Sequence, residues 1–77
     1  MDDRITALAR EYAGAKAEHD DFMAAMPTNE TDYIGRSYMI IDGRILAPSN
    51  HRIYARLFQR LHEARKALLL AHEEAQP

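Results

Sequence analysis

Apolar residues open the chain at alternating steps of three and four: Ile5, Leu8, Tyr12, Ala15, then Phe22 and Met26, with His19 in the same series. That is the a/d seam of a heptad repeat, and it predicts an amphipathic helix over about residues 3–26. Asp2 or Asp3 is the expected start, because acidic side chains suit the positive end of the helix dipole and cap free amides. Pro27 is the expected stop, since proline disfavours helical geometry at Met26. Tyr54, Leu57, Leu61, Ala64, Leu68 and Ala71 repeat the spacing and predict a second helix over about residues 50–75, capped by Ser49 or Asn50. Ile53, Phe58, Leu69 and Leu70 widen its apolar stripe beyond what one partner helix covers.

Between the helices the period changes to two. Tyr38-Met39-Ile40-Ile41 and Arg44-Ile45-Leu46-Ala47 are joined by Asp42-Gly43. Asp-Gly between short apolar runs is the strongest local signal for a two-residue hairpin, because the turn needs positive φ at both central positions. The register expected is Ile41 opposite Arg44, Ile40 opposite Ile45, Met39 opposite Leu46 and Tyr38 opposite Ala47. Both faces are then apolar, and a free two-stranded hairpin of that kind is marginal in water. In the polar residues 28–37, Thr28 with Thr31, or Asn29 with Asp32, are the expected partners of a short capped turn. The fold class expected is mainly α: two antiparallel amphipathic helices joined by a short β-hairpin at about residues 37–47, in one domain spanning 1–77.

Length changes how that layout is read. A chain of 77 residues buries only about 60% of its unfolded surface and has a thin core. With no cysteine, disulfides and thiolate metal sites are excluded. Self-association is the remaining route to stability, so a homo-oligomer is expected. Its interface would use Tyr38, Met39, Ile40, Ile41, Ile45 and Leu46 of the hairpin, with Ile53, Phe58, Leu69 and Leu70 of the second helix.

Charge refines the pairing. The net charge is −2, which gives no global attraction to nucleic acid or to membrane. Residues 1–26 carry six acids and three bases, whereas residues 50–77 carry five bases and three acids. Antiparallel packing is expected to bring Asp20 and Asp21 near Arg56, and Glu11 near Lys66. No apolar run reaches the roughly 20 residues of a membrane span. Met1-Asp2-Asp3-Arg4 lacks the features of a secretory leader, so a cytoplasmic location is expected and the Asn29-Glu30-Thr31 glycosylation pattern is a chance match.

Candidate chemistry is sparse. Arg52, Arg56 and Arg60 recur every four residues and form a stripe that needs acids or an anion nearby. With Tyr54 they are the candidate anion-binding residues, because guanidinium forks suit phosphate. Pairing with Glu18, Asp20 and Asp21 is the structural alternative. No two of His19, His51, His62 and His72 lie three or four residues apart, and neither Ser37 nor Ser49 has an adjacent base. No catalytic residue, metal site or cofactor is expected. His19, a polar residue in the seam, is expected to set register or to reach water near a helix end.

In layout the chain resembles the coiled-coil subunits of prefoldin-type chaperones, although architecture alone assigns neither family nor function. The function expected is non-enzymatic: an oligomeric interaction module, an adaptor or inhibitor that binds another macromolecule, with a protein as the expected partner. The alternative is an oligomeric binder of a small phosphate-bearing ligand or nucleotide through Arg52, Arg56 and Arg60. Nucleic-acid binding is more distant, because three arginines in an acidic chain make a poor footprint.

Overall fold

The structure, a computed structural model, describes residues 3–76. Two α-helices, α1 (Asp3–Ala24) and α2 (Pro48–Ala75), flank a 3₁₀ turn at Glu30–Tyr33 and a two-stranded sheet of β1 (Met39–Ile41) and β2 (Arg44–Leu46). Asp2, the other expected start of the first helix, lies outside the described residues. The expected seams are the packed faces: Ala15, Ala64 and Ala71 are buried, and Ile5, Leu8, Tyr12, Tyr54, Leu57, Leu61 and Leu68 are half-buried. Alanine at the buried positions lets the helices approach closely but supplies little apolar area. Met23, off the heptad series, joins the core at the hairpin end.

The helices run antiparallel, as the cross-helix ion pairs Arg4–Glu74 (3.0 Å) and Arg60–Glu18 require. The expected pairs of Asp20 or Asp21 with Arg56, and of Glu11 with Lys66, do not form among the described residues. Asp20 is taken on its own helix by Lys16 (2.6 Å) and His19 (3.1 Å).

Asp42 (φ 49°) and Gly43 (φ 75°) both hold positive φ, and the three inner pairs of the register are those expected: Ile41–Arg44, Ile40–Ile45 and Met39–Leu46. Tyr38 falls outside the ladder. Burial, however, divides by strand and not by face. Ile45 and Leu46 are 1% and 0% exposed, while their partners Ile40 and Met39 are 47% and 48% exposed. β2 is the strand packed against α2, and outside the sheet Ile45 donates its backbone N–H to Pro27 O at 2.8 Å. The segment leaving α1 thus covers the outer edge of β2. The ladder's alternation turns the N–H and C=O of Ile40 toward the opposite edge, where they meet no backbone partner among the described residues.

Two helix ends differ from expectation: α1 stops at Ala24, short of the expected Met26, and α2 starts ahead of its expected cap. The α2 helix begins at Pro48, with Ala47 in the cap position and no side-chain cap bond. Proline at the first helical position has the right φ and lacks only an N–H that would be unsatisfied there. Ser49 and Asn50 therefore lie inside the first turn. The last turn of α1 carries no base of its own; Arg44 serves it from β2, donating to Met26 O (2.9 Å) and Ala24 O (3.2 Å). Asn29 caps the 3₁₀ turn, its Oδ1 accepting from Thr31 N at 3.1 Å and Thr31 Oγ1 at 2.6 Å.

Candidate functional site

The arginine stripe is exposed but not uniform. Arg60 is paired with Glu18, whereas Arg52 and Arg56 have no acidic partner among the described residues. The helix pitch explains the difference: four residues turn about 400°, so each step along the row rotates about 40° further around α2. Arg60 reaches the edge beside α1, and Arg52 turns to solvent. Tyr54 does not join them. It is about 200° around the helix from both Arg52 and Arg56, and its ring packs against His19 (5.9 Å between centroids) and Phe58 (5.7 Å). Tyr54 therefore does not form one site with the three arginines.

The other flank of the helix pair is aromatic. His19, Tyr54, Phe58 and His62 follow one another as ring contacts, and Phe58 and His62 stack at 6.2 Å with planes 7° apart. Tyr12 of α1 and Phe58, Leu61, His62 and Arg65 of α2 line a cleft of about 160 Å³. Farther along, a hollow of about 320 Å³ is lined by α2 alone, from His62 to Glu73 and including Leu69 and Leu70. A hollow walled by one helix is an open face, unlike the clefts that enclose most of a small ligand.

His19 is the seam residue with an unusual environment. Its Nδ1–H donates to Asp20, and its buried Nε2 has no hydrogen-bond partner among the described residues. Hydrogen bonds from Lys16 and then from His19 hold the Asp20 carboxyl below its usual range, and the bond to Asp20 raises Lys16. These groups are at the surface, where water screens their effect. The 13% side-chain exposure of His19 shows that it does not escape to water as a helix-end residue would.

The expected interface residues separate into three groups. Ile45 and Leu46 are consumed by the chain's own core, and Ile41 and Tyr38 are half-buried. Tyr38 is held by its own loop, donating to Glu30 (3.3 Å) and meeting Tyr33 edge-on at 5.9 Å. Met39, Ile40, Ile53, Phe58, Leu69 and Leu70 remain 46–52% exposed, and Ile34, which the hydrophobic pattern does not single out, is 80% exposed.

Two side chains that position this surface have no signature in the sequence pattern. One is Arg44 at the end of α1. The other is His51, whose Nε2–H donates to Leu46 O at 2.7 Å and ties the start of α2 to β2. Both bind main-chain carbonyls, which any residue supplies. Among the described residues, no three His, Asp or Glu side chains group to hold a metal ion, and no helix is long and apolar enough to cross a membrane. Comparisons with protein-family models, with curated proteins and with solved structures find no match.

Proposed function

We propose that this chain is a non-enzymatic, self-associating interaction module, an adaptor or inhibitor that works by binding another protein. The observation that carries this reading is the apolar surface. Met39, Ile40, Ile53, Phe58, Leu69 and Leu70 stay about half exposed, although a chain of this size has little apolar area to spare. Six large apolar side chains left half exposed on a chain this small are surface available for contact with another macromolecule. The open outer edge of β1 adds a second means of contact, since unpaired N–H and C=O groups accept a strand from a partner.

What supports this over a phosphate-ligand role is that Tyr54 lies on the far side of α2 from the arginines and that Arg60 is already paired with Glu18. Copurification separates the two. A protein retained by the wild-type chain and lost from a Met39→Asp/Ile40→Asp variant that keeps its helical content is the expected result. A bound nucleotide or phosphate ester identified by mass spectrometry, with no retained protein, would replace this proposal with the ligand-binding one.

A further inference from the structure

The total exposed area matches that of a chain with one standard interface left uncovered. A compact monomer of 8.8 kDa exposes about 4,800 Å² by the usual scaling of surface with mass. This chain exposes 5799 Å², an excess of about 1,000 Å². It is a rod of 56 × 17 × 15 Å with a radius of gyration of 16.4 Å, against about 11.5 Å for a compact chain of its length. A standard protein interface buries about 800 Å² on each partner. The surplus is therefore the size of one such interface.

The two flanks of the helix pair are not equivalent candidates. One is crossed by Arg4–Glu74 and Arg60–Glu18, which keep their charges in water. The other carries the ring series and the Tyr12 cleft, with Phe58 49% and Leu69 52% exposed. On that flank Phe58, His62, Arg65 and Leu69 are spaced four, three and four residues apart. A two-fold axis passing between residues 63 and 64 would lay Phe58 on Leu69 of a second copy, and Leu69 on Phe58 of that copy. It would also set His62 across from Arg65 of the copy, where a planar guanidinium can stack on a ring. The axis lies near the middle of α2, so the two helices would overlap over residues 52–75. An isologous contact needs a patch that complements itself under the two-fold, and this one places apolar on apolar at both ends.

We infer that the Phe58–Leu69 flank of α2 is occupied by the same flank of a second copy, antiparallel, making a four-helix bundle and leaving the outer edge of β1 for the protein partner. The inference rests on the self-association reading and adds to it a face and a register.

The absence of cysteine makes a covalent test clean. In the full chain carrying both Phe58→Cys and Leu69→Cys, positions 58 and 69 are eleven residues, about 16 Å, apart on one helix. That is too far for a bridge within a chain, whose Cα atoms must come within about 7 Å. Mild oxidation should yield a covalent dimer on a non-reducing gel, while Phe58→Cys alone should not cross-link, its two copies standing about 16 Å apart. Light scattering on the unmodified chain runs alongside, and Phe58→Lys, with helicity checked by circular dichroism, should weaken the dimer on the order of tenfold or more. A wild-type dimer in which the double variant stays uncross-linked, or in which Phe58→Lys dimerises normally, overturns the face while self-association stands. So does efficient self-cross-linking of Ile40→Cys, which would place the contact at the β1 edge. A wild-type monomer overturns both.

Discussion

Removing the Arg44 guanidinium tests whether the hairpin holds the end of α1. Arg44 begins β2, and one of its terminal nitrogens donates to Met26 O at 2.9 Å, in a partly buried setting, and to Ala24 O at 3.2 Å at the surface. A hydrogen bond from a charged donor contributes about 1.5–3 kcal/mol, and a cation at a helix C-terminus about 0.3–1 kcal/mol. Because the Ala24 contact is exposed, only the Met26 bond and the dipole term are counted in full, which gives roughly 2–4 kcal/mol for Arg44→Met. Total stability for a chain of this length is about 4–12 kcal/mol, so the loss is a large fraction. Urea unfolding followed by circular dichroism at one fixed chain concentration measures it. With a slope of about 1–3 kcal/mol per molar, the midpoint should fall by on the order of 1 M. Arg44→Lys keeps the charge and a donor on a shorter side chain, and should recover the dipole part and at most part of the Met26 bond. A midpoint for Arg44→Met within about 0.5 kcal/mol of wild type, the scatter of a neutral surface substitution, would refute this role.

Three other outcomes are expected. Gly43→Val should cost about 1–3 kcal/mol by thermal or urea unfolding, through backbone strain alone: φ is +75° and an added Cβ meets nothing within 4 Å; unchanged stability would rule out the turn. Arg56→Gln should leave stability and partner binding nearly intact with weak salt dependence, because Arg56 has no acidic partner among the described residues; a collapse of binding that salt also produces would favour a phosphate ligand. The Glu30 carboxylate raises the Tyr38 phenol above its ordinary 10.0, so the bond between them contributes below that pH and is lost as pH rises through the folded value. Ultraviolet titration should show one tyrosine ionising late in the wild type and at ordinary pH in Glu30→Gln; identical curves would remove the interaction.

Much of the architecture was legible because it is written in local periodicity. The 3,4 spacing of Ile5 to Met26 and of Tyr54 to Ala71 marked both helices and their packed faces, and Asp42-Gly43 marked the turn and its register. What was not legible depends on contacts distant in sequence. Ile40 and Ile45 look equivalent in a two-residue repeat; the packing of β2 on α2 and the bond from Ile45 N–H to Pro27 O separate a buried strand from an exposed one. Arg44 and His51 bind carbonyl oxygens, which leave no trace in residue type. The start of α2 was misplaced because Ser49 and Asn50 are favoured caps, while Pro48, pre-set for the first helical position, took precedence. For the candidate site, the exposure of Phe58, Leu69 and Leu70 followed from counting apolar residues beyond the seam. The pairing of Arg60 alone with Glu18 did not, because a four-residue repeat looks straight in sequence but turns about 40° per step in space, bringing only one end of the row beside α1.

Self-association is the claim on which the functional account depends, and the melting temperature as a function of chain concentration tests it most directly. Binding that favours the folded dimer raises the melting temperature with concentration. Calorimetry across a dilution series, with light scattering on the same samples, should show that rise and a mass of twice 8.8 kDa at micromolar concentration. A single species of 8.8 kDa that melts at one temperature throughout the series would contradict it.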